Sequence, residues 1–349
     1  MKIVVDDKIP YIRETLAKLA DEVVYLKGSE IGPEDVKDAD ALIVRTRTLC
    51  NEQLLQGSKV QFVATATIGY DHLDTAWLEQ NGIAWTNCPG CNSGSVAQYI
   101  ESVLLSLPQP LPRRGALTLG IIGCGHVGSK VCKVGERLGM RVLVNDPPLE
   151  SLSPTLSKGR GSLRPFVSLE TIAREADIIT FHVPLDETTH YLADEAFFNS
   201  LQRHPVIINS SRGGVVDEQA LLRALDKGTV SCAVIDTWEH EPDISRVLLN
   251  KVYIGTPHIA GYSADGKVNA DNMVIEALCR HFSLPLPEKI LPPELPSDFT
   301  YTGQRLELYN VMDDSRKLKS NPEKFEELRG NYPLRRETKS LFYVKKVAQ

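Results

Sequence analysis

The chain has 349 residues, long for a single hydrophobic core, with 42% hydrophobic and 24% charged residues and a formal net charge of −6. No basic excess marks a nucleic-acid partner, and no apolar run approaches the roughly 18 residues that span a membrane. The opening Met1-Lys-Ile-Val-Val-Asp6 lacks the h-region of a signal peptide, so a cytosolic protein is expected.

Short β-rich runs at 3–5, 23–26, 41–44, 62–64 and 83–85 alternate with amphipathic stretches, which is the grammar of βαβ units. Three prolines in Leu107-Pro-Gln-Pro-Leu-Pro-Arg-Arg-Gly115 then break the pattern as a stiff connector. The alternation restarts with strands expected at 117–122, 141–144, 178–182, 206–209, 232–236 and 252–254. It ends in a helical pattern over 267–282 and a linker punctuated by Pro285, Pro287, Pro292, Pro293 and Pro296. The fold class is therefore α/β, with two doubly wound parallel-sheet, Rossmann-like domains. Beyond residue 300, alternation at Phe299-Thr-Tyr301 and Leu341-Phe-Tyr-Val344 around a charged helical run reads as a small α+β appendage. Such a piece buries too little to stand alone, so it should dock on its parent or on a second subunit. The division is 1–98 with 267–285, then 99–266, then 286–349.

Seven scattered cysteines point to reduced thiols rather than a disulfide frame. Cys88-Pro-Gly-Cys91 has redox or metal spacing, but no second ligand pair follows it. A tight turn before a helix capped by Asn92 or Ser93 accounts for it, and no metal is expected.

Three stretches carry chemistry. An apolar strand runs into Gly123-Cys-Gly125-His-Val-Gly128 and then a helical pattern, the arrangement that cradles a pyrophosphate on a helix N-terminus. The next strand ends at Asp146, an acid suited to both ribose hydroxyls and repelling a 2′-phosphate, which favours NAD over NADP. Arg212 follows a strand in the small-residue loop Asn209-Ser-Ser-Arg212-Gly-Gly, where its fork of N–H donors suits a substrate carboxylate. Asp236 ends another strand with Glu241 just beyond it, and His258 follows 17 residues later in Thr256-Pro-His258-Ile-Ala-Gly-Tyr262. A histidine beside a carboxylate suits proton transfer at a substrate oxygen, and hence hydride transfer at an alcohol carbon.

Together, Gly123-x-Gly-x-x-Gly128, Asn209-Ser-Ser-Arg212-Gly, Asp236-x-Trp-Glu-x-Glu241-Pro and Thr256-Pro-His258-Ile-Ala-Gly resemble the D-isomer-specific 2-hydroxyacid dehydrogenases. Further stretches at 65–72, 87–92, 145–148 and 258–267, with Phe325-x-x-Leu-Arg-x-x-Tyr332-x-x-Arg335-Arg-Glu337, narrow the resemblance to a member acting on a phosphorylated 2-hydroxy acid. The resemblance implies a flavodoxin-like substrate-binding first domain, an NAD-binding second one, a C-terminal dimerisation domain and hence a homodimer. It makes His258 the general acid/base, Glu241 its orienting partner and Arg212 the carboxylate ligand. It also implies substrate contacts from Thr46, Thr67 and Tyr262. NAD contacts are implied for Gly123, Gly125, His126, Val127, Gly128, Asp146, Val183, Ser210, Ser211, Arg212, Asp236 and Gly261. A 2-oxo acid could serve as acceptor for reoxidising the cofactor. For the phosphate, Arg45, Arg47 and Lys267 are candidates, as is the tail pair Arg335 and Arg336 from a second subunit. A glyoxylate, hydroxypyruvate or 3-phosphoglycerate enzyme, or a non-enzymatic NAD-sensing scaffold, remains an alternative.

Overall fold

The computed structural model describes residues 1–108, 116–151, 166–295, 297, 299, 302 and 306–337. The proline connector at 109–115, most of the 299–301 alternation and the alternating tail at 341–344 lie outside them. The chain divides into two compact units, Met1–Asn92 with Ser263–Phe299 and Ser93–Tyr262 with Thr300–Gln349.

The first unit holds five parallel strands, β1 (Lys2–Asp6), β2 (Glu22–Leu26), β3 (Ala41–Val44), β4 (Phe62–Thr65) and β5 (Ala84–Thr86), in the order β2-β1-β3-β4-β5. This is the flavodoxin-like order. β3 and β4 are buried along their whole length because both faces are covered, and such strands read as continuous apolar runs rather than alternations. The helix Ala264–His281 starts at Ser263, whose hydroxyl accepts from Gly266 N at 2.8 Å, and buries Val274, Ile275 and Leu278 in the core with Ile3, Val5 and Phe62.

That helix also buries Asp271, which accepts from Tyr11 N at 3.3 Å. Burial pushes its carboxyl up to about 7, against the pull of that N–H and of the Arg45 and Lys267 cations. An unfolded aspartate titrates near ~3.9. Between those values the folded state holds a proton that the unfolded chain has released, so this group's contribution is complete below the lower value and is lost as pH rises through the upper one. Asp271→Asn should therefore raise unfolding free energy by about 2–4 kcal/mol at pH 8 and hardly at all near pH 4. Denaturant melts at the two pH values check this; equal gains at both would contradict it.

The second unit holds β6 (Thr118–Ile122), β7 (Arg141–Asn145), β8 (Ile178–Phe181), β9 (Val206–Asn209), β10 (Cys232–Ile235) and β11 (Ile254–Gly255), all parallel, in the order β11-β10-β9-β8-β6-β7. The expected strands match these elements to within two residues at either end. The unit boundaries fall at 92/93 and 262/263 rather than 98/99 and 266/267, since cuts at the latter would split the continuous helices Ser93–Ser106 and Ala264–His281.

The described C-terminal residues 306–337 belong to the second unit rather than to a body of their own. Their helix Val311–Ser320 covers the short edge strand β11: Gly255 N donates to Ser315 Oγ at 3.1 Å and Lys319 Nζ to Tyr253 O at 3.2 Å. Tyr309 and Val311 join one apolar cluster of this unit, and Leu318 and Phe325 the other. All seven cysteines are free; Cys88 and Cys91 are buried, and the Cys88 thiol donates to Thr65 O and Ala270 O, both at 3.4 Å.

Candidate active site

The carboxyl ends of β6, β7 and β8 are tied together at the glycine turn, where Gly123 N donates to Asn145 O and His182 N to Ile122 O. Gly123 takes φ +87°, and a Cβ there would stand 2.5 Å from His182 O. At Gly128 a Cβ would meet Gly123 O at 2.0 Å, so the helix Gly128–Arg137 begins in contact with the turn. Gly125 differs: a Cβ there would meet nothing among the described residues within 4 Å. Crowding within the chain requires the outer glycines, whereas the middle one faces open space. His126 is exposed and Val127 half-buried on the same turn, and Val183 packs against Gly123 from the end of β8. Asp146, just past β7, accepts from Cys124 N at 2.7 Å and caps Leu149 N at 3.0 Å, which holds its carboxylate against the turn.

Past β10 and β11 the chain builds a second centre around Asp236, which is fully buried. Its Oδ1 accepts from Thr256 Oγ1 at 2.6 Å and Ile259 N at 2.8 Å, its Oδ2 from Ala260 N at 2.9 Å, and its backbone oxygen from His258 N at 2.8 Å. That grip holds His258 at φ +56°, a left-handed conformation that a non-glycine residue keeps only when its surroundings impose it. Trp238 N donates to Glu241 Oε1 at 2.9 Å, and His258 Nδ1 lies 2.7 Å from Glu241 Oε2. An ionised carboxylate only accepts, so Nδ1 carries the proton and Nε2 is left for exchange with a ligand. Burial drives the Glu241 carboxyl upward, but the hydrogen bond and charge of His258, the Trp238 N–H and the Arg329 cation outweigh it and hold Glu241 below the usual glutamate range.

Asn209, at the end of β9, pairs in register with Ile235 of β10 and accepts from both the N–H and the hydroxyl of Ser211. Its own amide donates to Arg212 O at 2.8 Å, shaping the loop that carries Arg212. Gly213 is required there, since a Cβ would lie 2.1 Å from Trp238 O. Thus Arg212 stands on the strand end adjacent to the one that leads into Asp236 and Glu241. Tyr262 and Gly261 follow on the His258 loop, while Thr46, exposed, and Thr67, bonded to Thr65 and Gly69, belong to the first unit.

Residues 110–260 match the model of the D-isomer specific 2-hydroxyacid dehydrogenase NAD binding domain. The chain is 56% identical to an erythronate-4-phosphate dehydrogenase of Bacteroides thetaiotaomicron, over 97% of this chain and 98% of that one, and 55% identical to its namesake from Bacteroides fragilis, over 97% of each. This chain belongs to the D-isomer-specific 2-hydroxyacid dehydrogenase family. Among solved structures, the NAD-bound 3-phosphoglycerate dehydrogenase of Entamoeba histolytica is 27% identical with a TM-score of 0.67, covering 84% of this chain and 99% of its own. The protein is an NAD-linked dehydrogenase.

The dehydrogenase's second unit fits that cofactor on three observations. No described residue stands within 4 Å of a Cβ at Gly125, which fits close approach of a pyrophosphate to the backbone, Asp146 stands where a ribose diol would be read, and the Ser210 hydroxyl is buried with no partner among the described residues. Several residues that organise the site stood in the quoted motifs without the roles they take in the fold. Asn209 acts through three side-chain hydrogen bonds and Trp238 through its backbone and ring N–H groups, and Arg329 and Arg335 arrive from more than 65 positions away, so no local spacing marks their roles. Arg335 also corrects an expectation. Rather than awaiting a phosphate, it is buried, donating to Ile259 O, Ala260 O, Ser95 O and Gln98 Oε1, with its guanidinium 3.9 Å from the Tyr309 ring centre. Arg336 is buried as well.

Proposed function

We propose that the chain catalyses NAD-dependent oxidation of 4-phospho-D-erythronate to 2-oxo-3-hydroxy-4-phosphobutanoate, a step toward pyridoxal 5′-phosphate, in the cytoplasm and as a homodimer. The observation that carries the chemistry is the 2.7 Å contact of His258 Nδ1 with Glu241, which leaves Nε2 as the base. His258 takes the C2 hydroxyl proton as the C2–H bond breaks and the hydroxyl-bearing carbon becomes a ketone. NAD, held at the second unit's glycine turn and Asp146, would supply the hydride acceptor. Arg212 holds the substrate carboxylate through its N–H fork and so fixes which face of C2 reacts. Glu241 stays ionised and stabilises the imidazolium that forms. Tyr262, Thr46 and Thr67 supply hydroxyls suited to a polyol chain.

The substrate assignment is supported by the names of the relatives above. The first unit supplies cations for a phosphate: burial and the neighbouring Arg45 cation both disfavour the charge of Lys267, a cost that an anion would offset. In the second unit, NAD contacts are assigned to the glycine turn with His126 and Val127, and to Asp146, Val183, Ser210, Ser211, Arg212, Asp236 and Gly261. Steady-state oxidation of 4-phosphoerythronate, 3-phosphoglycerate, glycerate and lactate, each with and without a 2-oxo acid to reoxidise NADH, tests the reading. A kcat/KM highest for 4-phosphoerythronate is expected. A preference for 3-phosphoglycerate or an unphosphorylated acid would overturn the substrate, and no oxidation of any would overturn the enzyme reading.

A further inference from the structure

The C-terminal segment reaches the acid of the catalytic pair. Arg329, in the helix Phe325–Gly330, places Nη1 3.8 Å from Glu241 Oε2, the same oxygen that holds His258 Nδ1. Its Nε donates to the Tyr262 hydroxyl at 3.1 Å, and Glu326 stands 3.9 Å from its Nη1. The side chain is only 20% exposed, so water screens its charge far less than that of a surface arginine. Six residues further on, Arg335 binds the carbonyls of Ile259 and Ala260, the two residues that follow His258. Tyr332, which meets the Tyr262 ring edge-on, donates to Asp314 at 2.6 Å and ties the two arginines' neighbourhood to the helix Val311–Ser320. One contiguous piece of chain therefore grips the histidine loop from behind and sets a cation beside the histidine's carboxylate.

A carboxylate shared by two cations projects less negative charge onto either one. The fuller the charge of Glu241, the more it favours the protonated imidazole, which cannot act as a base in oxidation. A fixed guanidinium at 3.8 Å offsets part of that charge and leaves the Nδ1 hydrogen bond in place. Among the described residues, further charged groups near Glu241 and Arg329 are the acids Glu218 and Glu326, both of which act in the opposite sense to Arg329, with Glu239 and His240 beyond them against Glu218.

We propose that Arg329 is a positioning residue for the Glu241–His258 pair, so that the C-terminal segment completes the catalytic centre of its own chain in addition to any role it has between subunits. This inference rests on the reading of His258 as the base. Its test is the pH dependence of kcat/KM for 2-hydroxy acid oxidation by the full-length enzyme and three variants. Arg329→Gln should move the acid limb up by about half to one pH unit, which lowers kcat/KM on that limb by about 3- to 10-fold, with NAD affinity within about 2-fold of the parent. Arg329→Lys, which keeps the charge, should bring the limb back to within about 0.3 unit of the parent. Glu326→Gln, a change on a more exposed side chain that keeps the inference testable should Arg329→Gln fail to fold, should move the limb slightly down. An unmoved limb in Arg329→Gln, an equal shift in Arg329→Lys, or an upward shift in Glu326→Gln would overturn the role. A parent enzyme that oxidises no 2-hydroxy acid would instead remove the reading beneath it.

Discussion

His258→Asn lowers kcat for hydroxy-acid oxidation by about 10²- to 10⁴-fold while NAD still binds with near-parental affinity. Asparagine is the informative replacement because of the backbone. At φ +56° most side chains add strain, whereas asparagine tolerates the left-handed region, so the loop held by Asp236 keeps its shape. Its amide N–H₂ can also donate to Glu241 in place of Nδ1, leaving the carboxylate satisfied. What asparagine cannot do is take a proton at the position of Nε2. Loss of turnover with retained cofactor binding, read by steady-state kinetics and by fluorescence titration with NADH, therefore isolates proton transfer from folding. A variant that turns over at the parental rate would remove the acid/base role. Equal loss of NAD binding would show instead that His258 supports the loop.

The sheets were legible because β3, β4, β8 and β9 are buried end to end, so each appears in the sequence as a short uninterrupted apolar run. The glycine turn was legible for a different reason: three glycines are needed for three distinct causes, and only one of those, the open space before Gly125, concerns a ligand. Glu241 and His258 could be paired from their positions past neighbouring strand ends. Arg335 could not be placed. Two arginines in a charged tail look like solvated groups or phosphate ligands, and only the folded chain brings Arg335 onto carbonyls at Ser95, Ile259 and Ala260. The unit boundaries were displaced by a few residues for a related reason. The expected cuts fell inside two helices that each belong to a single unit, and proline positions were the visible signal while helix continuity was not.

Asp236→Ala costs about 3–5 kcal/mol of stability and at least about 100-fold in kcat, although Asp236 has no described contact with Glu241 or with the His258 ring. Its carboxylate receives three donors in a fully buried place, and the chain extends further: the Thr256 hydroxyl gives its proton to Asp236, so it must accept from the Tyr99 hydroxyl at 2.8 Å. Truncation leaves the Thr256 hydroxyl and the N–H groups of Ile259 and Ala260 without acceptors, and each orphaned donor costs about 1–3 kcal/mol before relaxation. The loop would relax to recover those bonds with water, and the left-handed conformation of His258 is what it would give up first. Asp236→Asn should fare little better, because an amide presents one acceptor and turns its N–H₂ toward groups that are themselves donors. Chemical denaturation and steady-state kinetics of both variants test this together. If Asp236 acted only as a contact to NAD, the variants would bind the cofactor weakly yet unfold at the parental denaturant concentration. A stability loss that appears without cofactor, and in both variants, shows that the residue holds the histidine loop in addition to any contact with the cofactor.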